Sequence, residues 1–247
     1  MKVLDKKHFE VLDGIRGVAA LCILMFHILE GVNLADPVSN IINHGHLSVD
    51  IFFMLSGFVM AYAYDSRFES GMSFVTFIKR RIIRLQPMVV LGSLIGMTLF
   101  YMHASKLAPR VAETPFSTLL LFTLLGVFMV PVSKSAEIRG WGEMFPVNAP
   151  QWSLFFEYVA YLLYAFWARK FNKKTLAYCV VVFAFLLLLH SIDCQKGSIA
   201  GGWKLDLNEM RIGFSRLLFP FFCGMLIFRC GCKIKVKFPM IVSTLLF

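Results

Sequence analysis

Polar residues are sparse along this chain and punctuate it at intervals. Between them run seven apolar stretches, Gly17–Leu29, Val49–Tyr64, Met88–Met102, Phe116–Val132, Ser153–Trp167, Leu176–His190 and Ile212–Phe228; an eighth opens at Pro239 and continues to Phe247. A helix of about 20 mostly apolar residues crosses the hydrocarbon core of a bilayer. These stretches, extended by their flanks, approach that length. They lack the alternation of a barrel strand, and only helices or closed barrels satisfy every backbone polar group in lipid. The pattern predicts an all-α fold, a polytopic transmembrane helix bundle of about seven to eight spans. No repeat, low-complexity tract or linker divides the sequence, so residues 1–247 are expected to form a single membrane-embedded domain.

Composition agrees. Hydrophobic residues make up 58% and charged residues 16%, with a mean hydropathy of +0.70, whereas a soluble domain carries roughly 25% charge. The net charge of +10 is no nucleic-acid footprint, because Lys and Arg gather in short segments between apolar runs, which is a topology signal. No small-residue cleavage site follows the first run, so it is expected to be a retained span rather than a signal peptide. Of the six cysteines, Cys22, Cys179 and Cys223 fall in apolar runs, where a thiol packs as a small hydrophobe. Cys230 and Cys232 are too few for a metal site, and none is expected.

Charge also sets an expected orientation. Lys2, Lys6, Lys7 and Arg16 precede or open the first span, Gly31–Ser48 holds no Lys or Arg, and Asp65–Arg84 holds Arg67, Lys79, Arg80, Arg81 and Arg84. The positive-inside rule then puts the N-terminus and Asp65–Arg84 in the cytoplasm, in a bacterial inner membrane. A cysteine at Asn40 is expected to react with an impermeant thiol reagent outside intact cells, and one at Ser70 to be protected. The opposite pattern inverts the orientation. Further on the count conflicts. Segments with Arg169, Lys170, Lys173 and Lys174, and with Arg229, Lys233, Lys235 and Lys237, also read as cytoplasmic, yet three apolar runs separate Arg84 from Arg169. Either Pro131–Pro150 makes a re-entrant excursion, tolerated where it lines a cavity, or a later loop breaks the rule.

The ionisable residues inside the spans carry the candidate chemistry, because each is costly to bury in lipid. Arg16 and His27 stand eleven positions apart, close to three helical turns, so both face one way about 16 Å apart along the axis. Taken singly, Arg16 can snorkel to the interface and His27 can be a helix-end polar group. In FIKRRIIRLQP, Arg80, Arg81 and Arg84 sit at neighbouring helical spacings. Such a cluster suits a polyphosphate through bidentate contacts, or anchors topology against anionic headgroups. Asp50 opens the second span near the level of His27, which it can orient, or it is a charge favoured at a helix start. Ser56 and Gly57 are small enough for close helix approach; His44 and His46 read as ordinary loop residues. Pro150 suits a helix start, Glu157 needs a partner in its aromatic helix, and Arg216 lies among Phe and Leu before Pro220, which is expected to break the helix.

Together, LDGIRGVAALCILMFH with its Arg16–His27 spacing, VDIFFMLSGFV, RRIIRLQP, PQWSLFFE and the Arg216–Gly224 run resemble the acyltransferase-3 family of multi-pass membrane O-acyltransferases. The resemblance covers nearly the whole chain. It implies transfer of an acyl group, usually acetyl, from cytoplasmic acyl-CoA to a hydroxyl of a glycan, lipid-linked sugar or small molecule, with acyl-CoA as co-substrate and no permanently bound cofactor. It also implies that His27 is the catalytic histidine, with Arg16 as its partner and Glu157 beside them. Arg80, Arg81 and Arg84 would belong to the donor site, with Asp50, Trp152 and Arg216 counted among substrate-binding residues. Family members usually have about ten spans, so a truncated or inactive homologue is an expectation too. The rival from another class is a transporter or channel that uses Arg16, His27, Asp50 and Glu157 as an ion path.

Overall fold

The computed structural model describes residues 10–32, 44–103, 109–136, 138–193 and 199–231. Each of the seven apolar runs is a helix: α1 Glu10–Val32, α2 Ser48–Glu69, α3 Phe74–Met102, α5 Phe116–Val127, α6 Gln151–Phe166, α7 Lys173–Asp193 and α8 Leu207–Cys230, with the short α4 Pro109–Glu113 between α3 and α5. No strand occurs among the described residues. Five helices, α1, α2, α3, α7 and α8, are long and apolar enough to cross a membrane. The eighth run, Cys232, most of the Gly31–Ser48 loop and the terminal lysines lie outside the described residues.

Two local expectations change. Asp65–Arg84 is not a loop: α2 continues to Glu69 and α3 starts at Phe74, so the turn between them is short. The Ser73 hydroxyl caps α3 by accepting the Thr76 N–H at 3.2 Å. The arginine cluster therefore rides on a helix. Nor does Pro220 break α8, which runs on to Cys230 and ends at Gly231 with φ +69°. Neighbouring helices let a membrane helix tolerate the missing proline N–H, and glycine takes the left-handed φ that closes a helix C-terminus.

α8 is the central strut. It crosses α2 at two reciprocal glycines. A methyl at Gly57 would collide with the Phe221 carbonyl, and one at Gly224 with the Met54 carbonyl. Small residues at a crossing let backbones approach, and van der Waals packing then holds helices together where lipid removes the hydrophobic drive. α7 packs on α8 away from α2, while α1 packs on α2 and the adjoining 3-10 turn Gly45–Leu47.

Polar clusters tie the two ends of the bundle. At one end, Asp65 of α2 accepts from Tyr164 of α6 at 2.7 Å and from Arg229 of α8 at 2.9 Å. Arg229 also donates to the carbonyls of Arg169, at 3.0 Å, and Phe171. At the other end Arg216 of α8 meets Asp50 of α2 at 3.0 Å.

The path between Arg84 and Arg169 bears on the conflict in the charge count. α3 leads away from the Asp65 end. α5 comes back beside it: Leu119 and Phe122 pack with Phe100 near the end of α3, and Gln86 near its start donates to the Val127 carbonyl at 2.6 Å. Twelve residues make α5 about 18 Å long, short of a full crossing. The chain then turns through Met129, φ +57°, and returns with the 3-10 turn Lys134–Ala136 but no α-helix or strand among its described residues. Gly142–Val147 are buried, and two of the segment's N–H groups find protein partners, Val132 on Met144 and Met144 on Trp203. It lies against α3, with Asn148 over Gly92 and the Val147 carbonyl over Gly96. α6 then runs back along α3, Tyr158 reaching Gln86 at 2.9 Å. Four passages separate Arg84 from Arg169, not three, and both segments end on the same side. This path is the one that the re-entrant reading of Pro131–Pro150 describes, since irregular backbone is tolerated where protein or a cavity receives it.

Candidate functional site

α1, α2, α3 and α6 enclose a cavity of about 510 Å³. α1 contributes Arg16, Ile23, Leu24 and His27, and α2 contributes Val49, Phe52, Phe53 and Ser56. Arg84 and Leu85 come from α3, and Pro150, Trp152, Ser153, Leu154 and Glu157 from the start of α6. Five residues singled out in sequence, Arg16, His27, Arg84, Trp152 and Glu157, thus line one space. Arg16 and His27 share it because eleven residues return a helix to the same face.

The helix directions polarise this space. α1 enters with Arg16 and reaches His27 about 16 Å further on. α2 runs the other way, so Ser56 lies toward the Arg16 end and Val49 toward His27. α6 begins with Trp152 and moves toward the Arg84 end at Glu157. One half of the cavity therefore holds Arg16, Arg84, Ser56 and Glu157. The other holds His27 among Val49, Phe52, Trp152 and Leu154.

Glu157 has the partners that an acid in an apolar helix needs. Its Oε1 accepts the Ser56 hydroxyl at 3.0 Å and also the Tyr161 hydroxyl. Ser56 therefore serves this carboxylate, while Gly57 next to it makes the helix crossing. Tyr161 is one turn on from Glu157, on the same face, and that spacing is the signal by which sequence reasoning could have found it. Arg81 braces the arrangement: it donates to the Tyr64 hydroxyl, and its guanidinium lies 4.6 Å from the Tyr64 ring and 5.3 Å from the Tyr161 ring. It is buried and does not line the cavity. Arg80 is exposed and outside the cavity too. Of the three arginines expected to grip a polyphosphate, only Arg84 lines the cavity, and it makes no ion pair with another described residue.

Asp50 and Arg216 also depart from expectation. Arg216 is fully buried. Its guanidinium donates to Asp50 Oδ1 at 3.0 Å and Oδ2 at 3.5 Å, and to the carbonyls of Gly201 and His46 at 2.9 Å each. Its flat face lies 5.2 Å from the Trp152 ring centre. Such a group is paid for by its partners and has no surface left for substrate. The structure gives Asp50 to Arg216 rather than to His27. Both residues tie α2, α8, the 199–206 segment and the turn before α2 together behind the cavity wall. His46 takes part through its backbone carbonyl, as fits a structural residue.

A family model described as an acyltransferase domain matches residues 9–243. The chain belongs to the acyltransferase-3 family. It is an acyltransferase and an integral membrane protein. It is 34% identical to protein 2 in the picA locus of Rhizobium radiobacter over 197 residues, 76% of this chain and 96% of that one. The acyltransferase is also similar to acyltransferase MdmB of Streptomyces mycarofaciens, 29% identical over 66% of this chain and 40% of the relative. Exopolysaccharide production protein ExoZ of Rhizobium meliloti (strain 1021) is 27% identical over 82% of this chain and 56% of its own length. The acyltransferase thus matches almost the full length of the first relative but about half or less of the other two. No solved structure matches it.

Proposed function

We propose that the acyltransferase moves an acyl group, acetyl in the simplest case, from acyl-CoA to a hydroxyl of a glycan or lipid-linked acceptor, with His27 as general base. The observation that carries this is the single cavity lined by Arg16, Arg84, Glu157 and His27. Cations at one end suit the donor's phosphates. An extended pantetheine arm can follow the ~16 Å between Arg16 and His27, bringing the thioester to the histidine. The acceptor oxygen then attacks the thioester carbonyl while His27 takes the hydroxyl proton. The carbon–sulfur bond breaks, and the leaving thiolate takes that proton back from the imidazolium. Imidazole is the side chain chemically suited to take up and return a proton in this way. The MdmB relative, named as an acyltransferase, supports acyl transfer, and the ExoZ relative, named for exopolysaccharide production, supports an acceptor of the sugar kind. An inner bacterial membrane with the Arg84 end in the cytoplasm supplies the donor from the correct side.

The deciding test supplies radiolabelled acetyl-CoA to membranes containing the chain and looks for base-labile, ester-bound label in the lipid and polysaccharide fractions. Label that stays wholly in the donor overturns the reading. The two arginines three positions apart should separate in the same system. Arg84→Ala is expected to weaken binding of acetyl-CoA roughly 10- to 100-fold, the worth of charge-assisted hydrogen bonds, with the fold retained. Arg84→Lys recovers only part, because ammonium lacks the planar fork. Arg81→Ala is expected instead to lower yield and thermal stability. Equal affinity in Arg84→Ala and wild type returns Arg84 to a role as a lipid-facing anchor.

A further inference from the structure

The half of the cavity around His27 is mostly apolar, with Ile23 from α1, Val49, Phe52 and Phe53 from α2, and Trp152 and Leu154 from α6; the Ser153 hydroxyl between them donates to the Pro150 carbonyl at 2.9 Å. A sugar ring presents a hydroxyl at nearly every carbon and needs polar partners around it; a hydrocarbon needs none. Trp152 is the best-held part of this lining. Phe156 and Trp203 pack on it with ring centres 6.0 and 6.3 Å away, and the Arg216 guanidinium lies over it at 5.2 Å. The Gly202 backbone, φ +104°, presses so closely that a methyl there would sit 3.2 Å from the ring edge. Arg216 is itself held by Asp50, Gly201 and His46. A wall pinned this way cannot retreat to admit a longer guest.

We propose that Trp152 sets the length of the acyl chain this enzyme accepts, acting as the fixed end wall of an acyl pocket beside His27, with Arg216 behind it as a positioning residue. This rests on acyl-CoA being the donor. Short acyl groups fit, and each methylene beyond the wall must displace a side chain that has nowhere to go. A hydrophobic pocket discriminates roughly 10- to 200-fold per methylene.

The test compares acetyl-, butyryl-, hexanoyl- and octanoyl-CoA as donors to membranes containing wild type, Trp152→Phe or Trp152→Leu, with ester-bound label as readout. Wild type is expected to favour the short donors. Trp152→Leu should raise the hexanoyl-to-acetyl ratio of kcat/KM at least ~10-fold, with Trp152→Phe in between. A second measurement needs no variant: an acyl-CoA with a photoreactive diazirine at the end of a butyryl chain should label Trp152 or Phe53 in the wild-type protein. An unchanged ratio in both variants overturns the proposal, as does labelling confined to other residues. A raised KM for the acceptor at constant chain-length preference also overturns it, and assigns Trp152 to acceptor stacking. Transfer by wild type from some donor with no change in the variants sinks this inference alone; no transfer from any donor sinks the acyl-CoA reading with it.

Discussion

His27→Ala is expected to abolish acyl transfer while the protein still inserts and accumulates normally. The side chain is exposed and faces the cavity rather than the core. Removing such a side chain usually changes stability within about ±0.5 kcal/mol. Removing a general base costs roughly 10²–10⁴ in rate. His27→Gln keeps the polarity and much of the volume but accepts no proton at neutral pH, so it should be as inactive as alanine. The measurement is ester-bound label formed per unit of membrane protein at saturating donor and acceptor. A loss under ~10-fold in both variants would move the base elsewhere in the cavity.

Arg216→Ala should have the largest effect on stability. It leaves the part-buried Asp50 carboxylate with no counter-ion and takes a donor from two carbonyls. Breaking a buried pair from one side costs about 3–5 kcal/mol. Arg216→Lys keeps the charge but cannot span Asp50, Gly201 and His46 at once, since three donors on one nitrogen replace a planar fork. Removing both charges, Arg216→Met with Asp50→Leu, should cost less than Arg216→Ala alone, because no charge is then stranded. Melting temperatures in mild detergent give the order: wild type above the double variant, and the double variant above Arg216→Ala. If Arg216→Ala melts like wild type, the pair does not hold α8 to α2.

Local chemistry was legible and long-range pairing was not. The apolar runs announced every helix from α1 to α8 except α4, because burial in lipid writes itself into consecutive residues. Arg16 and His27 announced a shared face, because eleven positions is a helical repeat. The arginines of α3 were harder. Periodicity says that Arg81 and Arg84 diverge by about 60°, not which one turns inward; the Tyr64 and Tyr161 rings decide that. Asp50 and Arg216 are 166 positions apart, and no spacing rule reaches so far. The odd number of runs between Arg84 and Arg169 did signal that something was missing. That α5 is short and that Gly92 and Gly96 receive an irregular segment rather than a helix belongs to tertiary packing.

The same 166 positions set an order of events during synthesis. Asp50 reaches the bilayer with α2, while its counter-ion is still untranslated. At about 5–20 residues per second, Arg216 follows roughly 8–30 s later. The acid meanwhile sits in the first turn of its helix without its counter-ion. It can be drawn into the bundle only when α8 arrives beside it. The pair can therefore close only once α8 has been made, and a nascent chain halted before Arg216 carries an unneutralised acid where the finished enzyme has a lock.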